Sequence, residues 1–281
     1  MVRETWKYLD SGILDAATNM AIDESLLNWH SEGFIPPVLR LYGWEKPSLS
    51  IGQFQKAEKS IDFDGIAKHG CEFVRRLTGG SAVLHDDELT YSIIVSEDHP
   101  NIPQSVQKAY YILSKGVLEG YHNLGINADY AIPEREAMLD KTAVCFEKTA
   151  VYEMIVDGKK ISGNAQTRKK GVLLQHGSIP ITMDEDMLFD LFKFKTERAR
   201  ERQRNNFSNK AVSIEQITQK PHTYDMLKAA FLDGFKKGLN IEVEPFTLSA
   251  EQWAEVHELA DTKYRSDEWN LRRFKERVHH G

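Results

Sequence analysis

Residues 145–171 read CFEKTAVYEMIVDGKKISGNAQTRKKG. Two strand-like runs flank Asp157-Gly158, a dipeptide suited to a two-residue hairpin turn in which both residues have positive φ. With that loop length Ile155 opposes Lys160, Glu153 opposes Ser162, and Val151 opposes Asn164. Because side chains alternate along a strand, Lys160, Ser162 and Asn164 share a face with Glu153, while Lys159, Ile161 and Gly163 take the other. An ammonium, a hydroxyl and an amide beside the small residues Gly163 and Ala165 suit the wall of a binding site. A solvated hairpin face accounts for the same pattern.

Outward from this hairpin, strands are expected at residues 6–9, 38–44, 48–52, 71–76, 89–96, 172–182 and 241–245. Apolar residues recurring every three or four positions predict a helix over 105–124. Further helices are expected at 15–30, 63–69, 184–192, 196–203, 212–217 and 223–239. Ser249 stands in capping position for another, and a charged, peripheral helix begins near Asp267. The strands cluster between residues 36 and 182 without strict strand–helix alternation. That arrangement points to an α+β fold, a mixed β-sheet core with flanking helices, and away from a doubly wound one.

At 281 residues, with 41% hydrophobic and 28% charged residues, the chain is long enough for a substantial core. A net charge of -6 argues against sequence-independent nucleic-acid binding. No apolar run approaches the ~20 residues of a membrane span, and residues 1–12 lack the apolar stretch of a signal peptide. A cytoplasmic protein without membrane attachment is the expectation. Cys71 and Cys145 form no metal-binding pair and the histidines show no zinc-ligand spacing, so no metal site is expected.

The chemical candidates are few. A thiol of ordinary pKa, about 8.5, is only a few per cent thiolate at pH 7, and a nearby ammonium favours the thiolate. Lys160 is a reasonable such cation. Cys71 sits beside the apolar strand residues Phe73 and Val74, as a structural cysteine does. The loop Arg75-Arg76-Leu77-Thr78-Gly79-Gly80-Ser81 matches neither the nucleotide phosphate loop nor the dinucleotide fingerprint. It reads as a turn, or as a loop around an acyl chain, phosphate or carboxylate. Residues 193–204 carry Lys193, Lys195, Arg198, Arg200, Arg202 and Arg204 against Glu197 and Glu201. Such a run is usually a solvated helix face, but on an acidic protein it is also a surface for an acidic partner.

RRLTGGSAVLHD at residues 75–86 and KKISGNAQ at residues 159–166, in that order, resemble the biotin/lipoate protein ligase family. The likeness covers roughly residues 30–245 and extends to NMAIDESLL at 19–27 and SDEWN at 266–270. It implies the ligase catalytic-domain fold, related to class II aminoacyl-tRNA synthetases and biotin synthetases. The catalytic domain would span residues 1–245, with 246–281 a helical extension packed on it. Within the family, residues 145–171 look like the active segment of the cysteine-dependent octanoyltransferases of lipoate assembly.

That resemblance singles out Cys145 as an acyl-carrying nucleophile and Lys160, fifteen positions on (160 − 145), as its catalytic partner. Arg76, Thr78, Gly79, Gly80 and Ser81 would flank the acyl tunnel, with His85, Ser162, Gly163, Asn164 and Ala165 completing the substrate site. His85 is also a candidate for proton handling. The implied reaction moves octanoyl from acyl carrier protein to a lysine of a lipoyl-domain protein such as the glycine-cleavage H protein. The enzyme would be a monomer needing no cofactor and no metal. The rival readings are an ATP-dependent lipoate-protein ligase and a non-catalytic carrier-binding protein. ATP-using ligases usually carry a third glycine where Ser81 stands and Phe where Leu84 stands.

Overall fold

Polar residues Asp10 and Ser11, followed by Gly12, look like the end of a strand, yet β1 runs on through them (Glu4–Leu14). It is held on both edges, and a bulge between Asp10 and Gly12 absorbs the polar step. The computed structural model describes residues 3–131 and 153–272. Cys145 and Val151 therefore lie outside the described residues.

After β1 come α1 (Ala16–Ser31), β2 (Val38–Trp44), β3 (Ser48–Ile51), α2 (Ala57–Ser60), α3 (Phe63–His69), β4 (Glu72–Arg75), β5 (Val83–His85) and β6 (Glu88–Ser96). Then follow α4 (Val106–Asn123), β7 (Asp129–Tyr130), β8 (Met154–Val156), β9 (Lys159–Lys160), β10 (Gly163–Lys169) and β11 (Val172–Pro180). The remainder is α5 (Glu185–Asp190), α6 (Glu197–Lys210), α7 (Ile214–Thr218), α8 (Tyr224–Leu239), β12 (Ile241–Pro245), α9 (Ala250–Leu259) and α10 (Asp267–Asn270). A π-helical turn, Ala260–Tyr264, joins the last two helices.

Six strands form the main sheet in the order β10-β11-β6-β2-β1-β12. Pairing is parallel among β12, β1 and β2 and antiparallel among β2, β6, β11 and β10, so the sheet is mixed as expected. Both faces are covered, which is why every residue of β2 is buried. Leu39 and Leu41 of β2, with Tyr91 and Ile93 of β6, pack against α4 and α8. Val38, Tyr42, Ile94 and Leu174 point the other way, to α1 and the C-terminal helices. A small sheet, β4-β3-β5, adds a third cluster around Leu49, Ile51 and Ile61.

The C-terminal helices are fastened to this frame. Trp29 Nε1 donates to Glu255 at 2.7 Å, and Lys263 and Tyr264 both bond Glu24. α10 is not peripheral: Asn270 is buried, its Oδ1 accepts from the Arg75 backbone N–H at 2.8 Å, and Trp269 Nε1 donates to the Arg75 carbonyl at 2.7 Å.

Helices α4 and α8 cross at glycines. A Cβ on Gly234 would stand 2.3 Å from the Gly120 backbone nitrogen, and one on Gly120 2.3 Å from the Phe231 ring. The neighbour of Gly234 is backbone and cannot swing aside. Gly234→Ala should therefore destabilise the protein by about 1–3 kcal/mol despite alanine's better helix propensity, read as a lowered denaturant midpoint at unchanged m-value.

Candidate active site

The Gly79-Gly80 loop is shaped from beneath by one side chain. Arg76 is buried, and each of its nitrogens is engaged inside the protein. Nε donates to Thr78 Oγ1 at 3.0 Å, Nη1 to the carbonyl and hydroxyl of Ser50, and Nη2 to the carbonyls of Gly79 (2.8 Å) and Ser81 (2.7 Å). Burial pushes its guanidinium down to about 10, which leaves it charged at neutral pH. Gly80 has φ of 95°, and a Cβ on Gly52 would lie 2.1 Å from the Gly80 carbonyl oxygen, so both positions call for glycine.

From Arg76 two hydrogen-bonded arms of the same chemistry run into the sheet. In the first, Thr78 Oγ1 meets His176 Nε2 at 2.7 Å and His176 Nδ1 meets Asp23 at 3.1 Å. In the second, Ser50 Oγ meets His85 Nε2 at 2.8 Å and His85 Nδ1 meets Glu88 at 2.8 Å. Carboxylates only accept, so each imidazole presents N–H at Nδ1 and turns Nε2 to the hydroxyl that Arg76 addresses. Trp44 stacks on His85 with ring centroids 4.0 Å apart. Both His85 nitrogens are thus committed to protein groups. In that position the imidazole supports the loop from beneath.

Asp23 also accepts from Arg40 at 2.7 Å and from Ser92 at 2.8 Å. Burial alone would raise the Asp23 carboxyl, but Arg40, then His176 and Ser92, hold it below the usual carboxylate range. Burial pushes His176 below the ordinary histidine value against the pull of Asp23, so the ring is neutral at pH 7.

The hairpin stands beside this frame. Asp157 and Gly158 have φ of 50° and 76°, the two positive values the turn demands. Ile155 opposes Lys160, and Ile161 N–H bonds the Met154 carbonyl, continuing the expected register. Lys160 Nζ lies 2.6 Å from Glu153 Oε1 with its side chain 42% exposed. Lys159 points to the other face, where it donates to the Ser208 carbonyl of α6.

After Ile161 the strand changes partner, because β10 pairs with β11 of the main sheet. Directly paired residues share a face. Gly163 and Ala165, opposite Ser178 and His176, therefore lie on the side of the two arms. Asn164 turns to α4, accepting from Tyr91 OH at 2.9 Å and donating to Tyr110 OH at 3.0 Å. Ser162, buried, lies 3.4 Å from the Asn164 amide. The wall read from the hairpin is thus divided between two faces of the sheet.

Cys71 is half-buried, its Sγ 3.6 Å from Met187 Sδ. Burial, then Asp86 and Asp184, raises its thiol above the ordinary value, an environment that disfavours a nucleophile.

The model of the lipoyl protein ligase A/B catalytic domain matches residues 15–236. The chain belongs to this family. Among its relatives, Octanoyltransferase LipM of Halalkalibacterium halodurans is 54% identical, covering 96% of this chain and 100% of that protein. Octanoyltransferase LipM of Bacillus subtilis is 52% identical, covering 97% and 100%. Among solved structures, the bi-partite lipoate protein ligase of Thermoplasma acidophilum superposes with a TM-score of 0.78 at 25% identity, covering 98% of this chain and 100% of that one. A lipoate-protein ligase A bound with ATP gives 0.75 at 26% identity, covering 96% and 99%.

Within this family fold, sequence reasoning missed Asp23, Arg40, Ser50, Glu88 and His176. The signal was available. Arg40 interrupts VLRLYGW, Thr90 and Ser92 interrupt ELTYSIIVS, and His176 and Ser178 interrupt VLLQHGSIP at every second position. Polar residues at period two within otherwise buried strands mark a polar network on one face.

His176, depressed in the folded protein, contributes stability that is complete above its unfolded value of about 6.5 and is lost as pH falls through its folded value. The urea midpoint of the wild type should fall as pH drops from about 7.5 to about 5.5. His176→Gln should be less stable at neutral pH by about 1–3 kcal/mol and change less over that window, because the group that binds the extra proton on unfolding is gone.

Proposed function

We propose that this protein is an octanoyltransferase of lipoate assembly, with acyl carrier protein as donor and a lysine of a lipoyl-domain protein, such as the glycine-cleavage H protein, as acceptor. The observation that carries this reading is the identity of 50–54% over nearly the whole chain to octanoyltransferases. The ATP-dependent ligase reading draws only on structures about half as similar in sequence, one of which binds ATP.

In the proposed reaction the Cys145 thiolate attacks the carbonyl carbon of the octanoyl thioester. The tetrahedral oxyanion collapses with loss of the carrier thiolate, which takes up a proton, and octanoyl remains on Cys145. The acceptor amine, once neutral, attacks that thioester. The Cys145 thiolate leaves, the nitrogen gives up its proton, and an amide replaces the thioester. Exchange of one thioester for another is nearly balanced in energy, so no nucleotide is required. Lys160 serves the thiolate and the oxyanions as a cation. Thr78, Gly79, Gly80, Ser81, Gly163 and Ala165 bound the acyl group, and Arg76 holds the loop for them. We also take residues 246–281 as part of the same domain, a reading supported by their bonds to Glu24 and Arg75.

Intact-protein mass spectrometry after incubation with octanoyl-acyl carrier protein, without ATP, should show one octanoyl adduct on the wild type and on Cys71→Ala, and none on Cys145→Ala. An adduct persisting on Cys145→Ala removes the nucleophile assignment, and an adduct that requires ATP favours the ligase. Lys160→Ala should raise the pH at which Cys145 alkylates by about one unit or more. An unchanged alkylation profile assigns the thiol another partner.

A further inference from the structure

Helix α6 has two faces of different chemistry. Along its inner face Arg200 bonds Asp190, Arg204 bonds Asp186, Ser208 bonds Glu185, and the Phe207 ring meets Phe189 edge-on at 5.9 Å. These contacts seat the helix on α5. On the outer face Arg198 and Arg202, one turn apart, are exposed, with Lys195 just before the helix. Among the described residues, none of the three has an ion-pair partner. Residues 193–204 carry six cations against two anions, +4 locally (6 − 2), in a chain whose net charge is -6. With Arg200 and Arg204 paired to α5, Lys195, Arg198 and Arg202 remain beside the exposed Glu197 and Glu201 as the cations that an acidic partner meets.

The helix also leads to the hairpin. Its C-terminal end lies against β9, where Lys159 donates to the Ser208 carbonyl and the Val212 N–H, just past the helix, bonds the Lys160 carbonyl at 2.9 Å. Arg198 and Arg202 lie twelve and eight residues before Lys210 (210 − 198 and 210 − 202), or about 18 and 12 Å along the axis at 1.5 Å per residue.

We propose that the outer face of α6, centred on Arg198 and Arg202, docks the acidic carrier protein that donates the acyl thioester. This rests on the octanoyl-transfer reading above. The separation selects donor over acceptor. An acceptor lysine has only a four-carbon stem, so its domain is seated first on the hairpin and meets α6 only with its flank. A donor that presents its thioester at the end of a long flexible thiol arm can sit a helix length away and still deliver it. The surface accelerates the first step, the encounter, and leaves the second untouched.

The test is the double charge reversal Arg198→Glu/Arg202→Glu, with Arg198→Ala/Arg202→Ala as the milder form. Three rates are measured: acylation by octanoyl-acyl carrier protein, acylation by the neutral octanoyl thioester of N-acetylcysteamine, and transfer from pre-acylated enzyme to a lipoyl domain. The first should fall about tenfold or more at low salt, with the difference closing at high salt. The other two should match wild type, and the alanine form should fall between. An unchanged carrier rate, an equal loss with the short thioester, or a loss confined to the lipoyl-domain step each overturns the proposal. Fluorescence anisotropy of labelled acyl carrier protein gives a readout independent of turnover. Binding should weaken about tenfold or more in the reversed form, and equal binding overturns the surface. If neither thioester acylates the wild type, the transferase reading fails while the anisotropy still decides the surface.

Discussion

A charged guanidinium sits at the centre of this molecule without a carboxylate beside it among the described residues. Arg76 spends its hydrogens on two hydroxyls and three carbonyls. Two carboxylates lie one imidazole further out: Glu88 behind Ser50 and His85, and Asp23, itself paired with Arg40, behind Thr78 and His176. An isolated buried cation costs several kcal/mol, and cooperative polarisation along short hydrogen-bond chains is what makes such a placement tolerable. Direct pairing with a carboxylate would have consumed the Nη2 hydrogens that fix the Gly79 and Ser81 carbonyls. Separating the charges leaves the arginine free to be a template for a loop.

That constraint explains the arrangement of the sheet around it. Asp23 comes from α1, Ser50 from β3, His85 from β5, Glu88 from β6 and His176 from β11. Each arm therefore joins the small sheet to the main one, and the loop between β4 and β5 cannot shift without opening both. Arg75, the residue before Arg76, faces the opposite way and binds the carbonyls of Gly52, Gln53, Gln55 and Asn270. Two adjacent arginines thus hold two neighbouring loops, Arg75 the segment after β3 together with the C-terminal helix and Arg76 the loop between β4 and β5.

Local features were legible in the sequence because their causes are local. The turn at Asp157-Gly158, the cap at Ser249 completed by Gln252, and the strand β2 depend on neighbours a few residues away. Features that join distant residues were not. The Arg76 arms draw on five elements, and no single segment contains enough of them to reveal the network. The partner change after Ile161 was hidden for the same reason, since β10 reads as a continuation of the hairpin until β11 is present to claim it. The burial of Asn270 was masked by its charged surroundings, although an asparagine and a tryptophan closing a polar segment are the residue types that clamp a backbone. The site residues named from the resemblance divide accordingly. Thr78, Gly79, Gly80, Ser81, Gly163 and Ala165 belong to the loop and the sheet face beside it, Arg76 and His85 lie beneath as supports, and Asn164 faces α4.

The hairpin differs from this frame in kind, and the difference suits the proposed chemistry. Lys160 is paired with Glu153 at 2.6 Å, with the lysine side chain 42% exposed and the glutamate 15%. Water reaches the ammonium of such a half-exposed pair, so it is weaker than a fully buried one. Under the proposed reaction, a thiolate or an oxyanion arriving near Lys160 would share its half-exposed ammonium with Glu153. The cation is then available when negative charge develops and neutralised when it does not. A buried pair such as Asp23 with Arg40 could not work this way, since breaking one costs about 3–5 kcal/mol. Rigidity is therefore concentrated in the frame beneath the proposed acyl site, and the more accessible charge in the strand that would meet the reacting atoms.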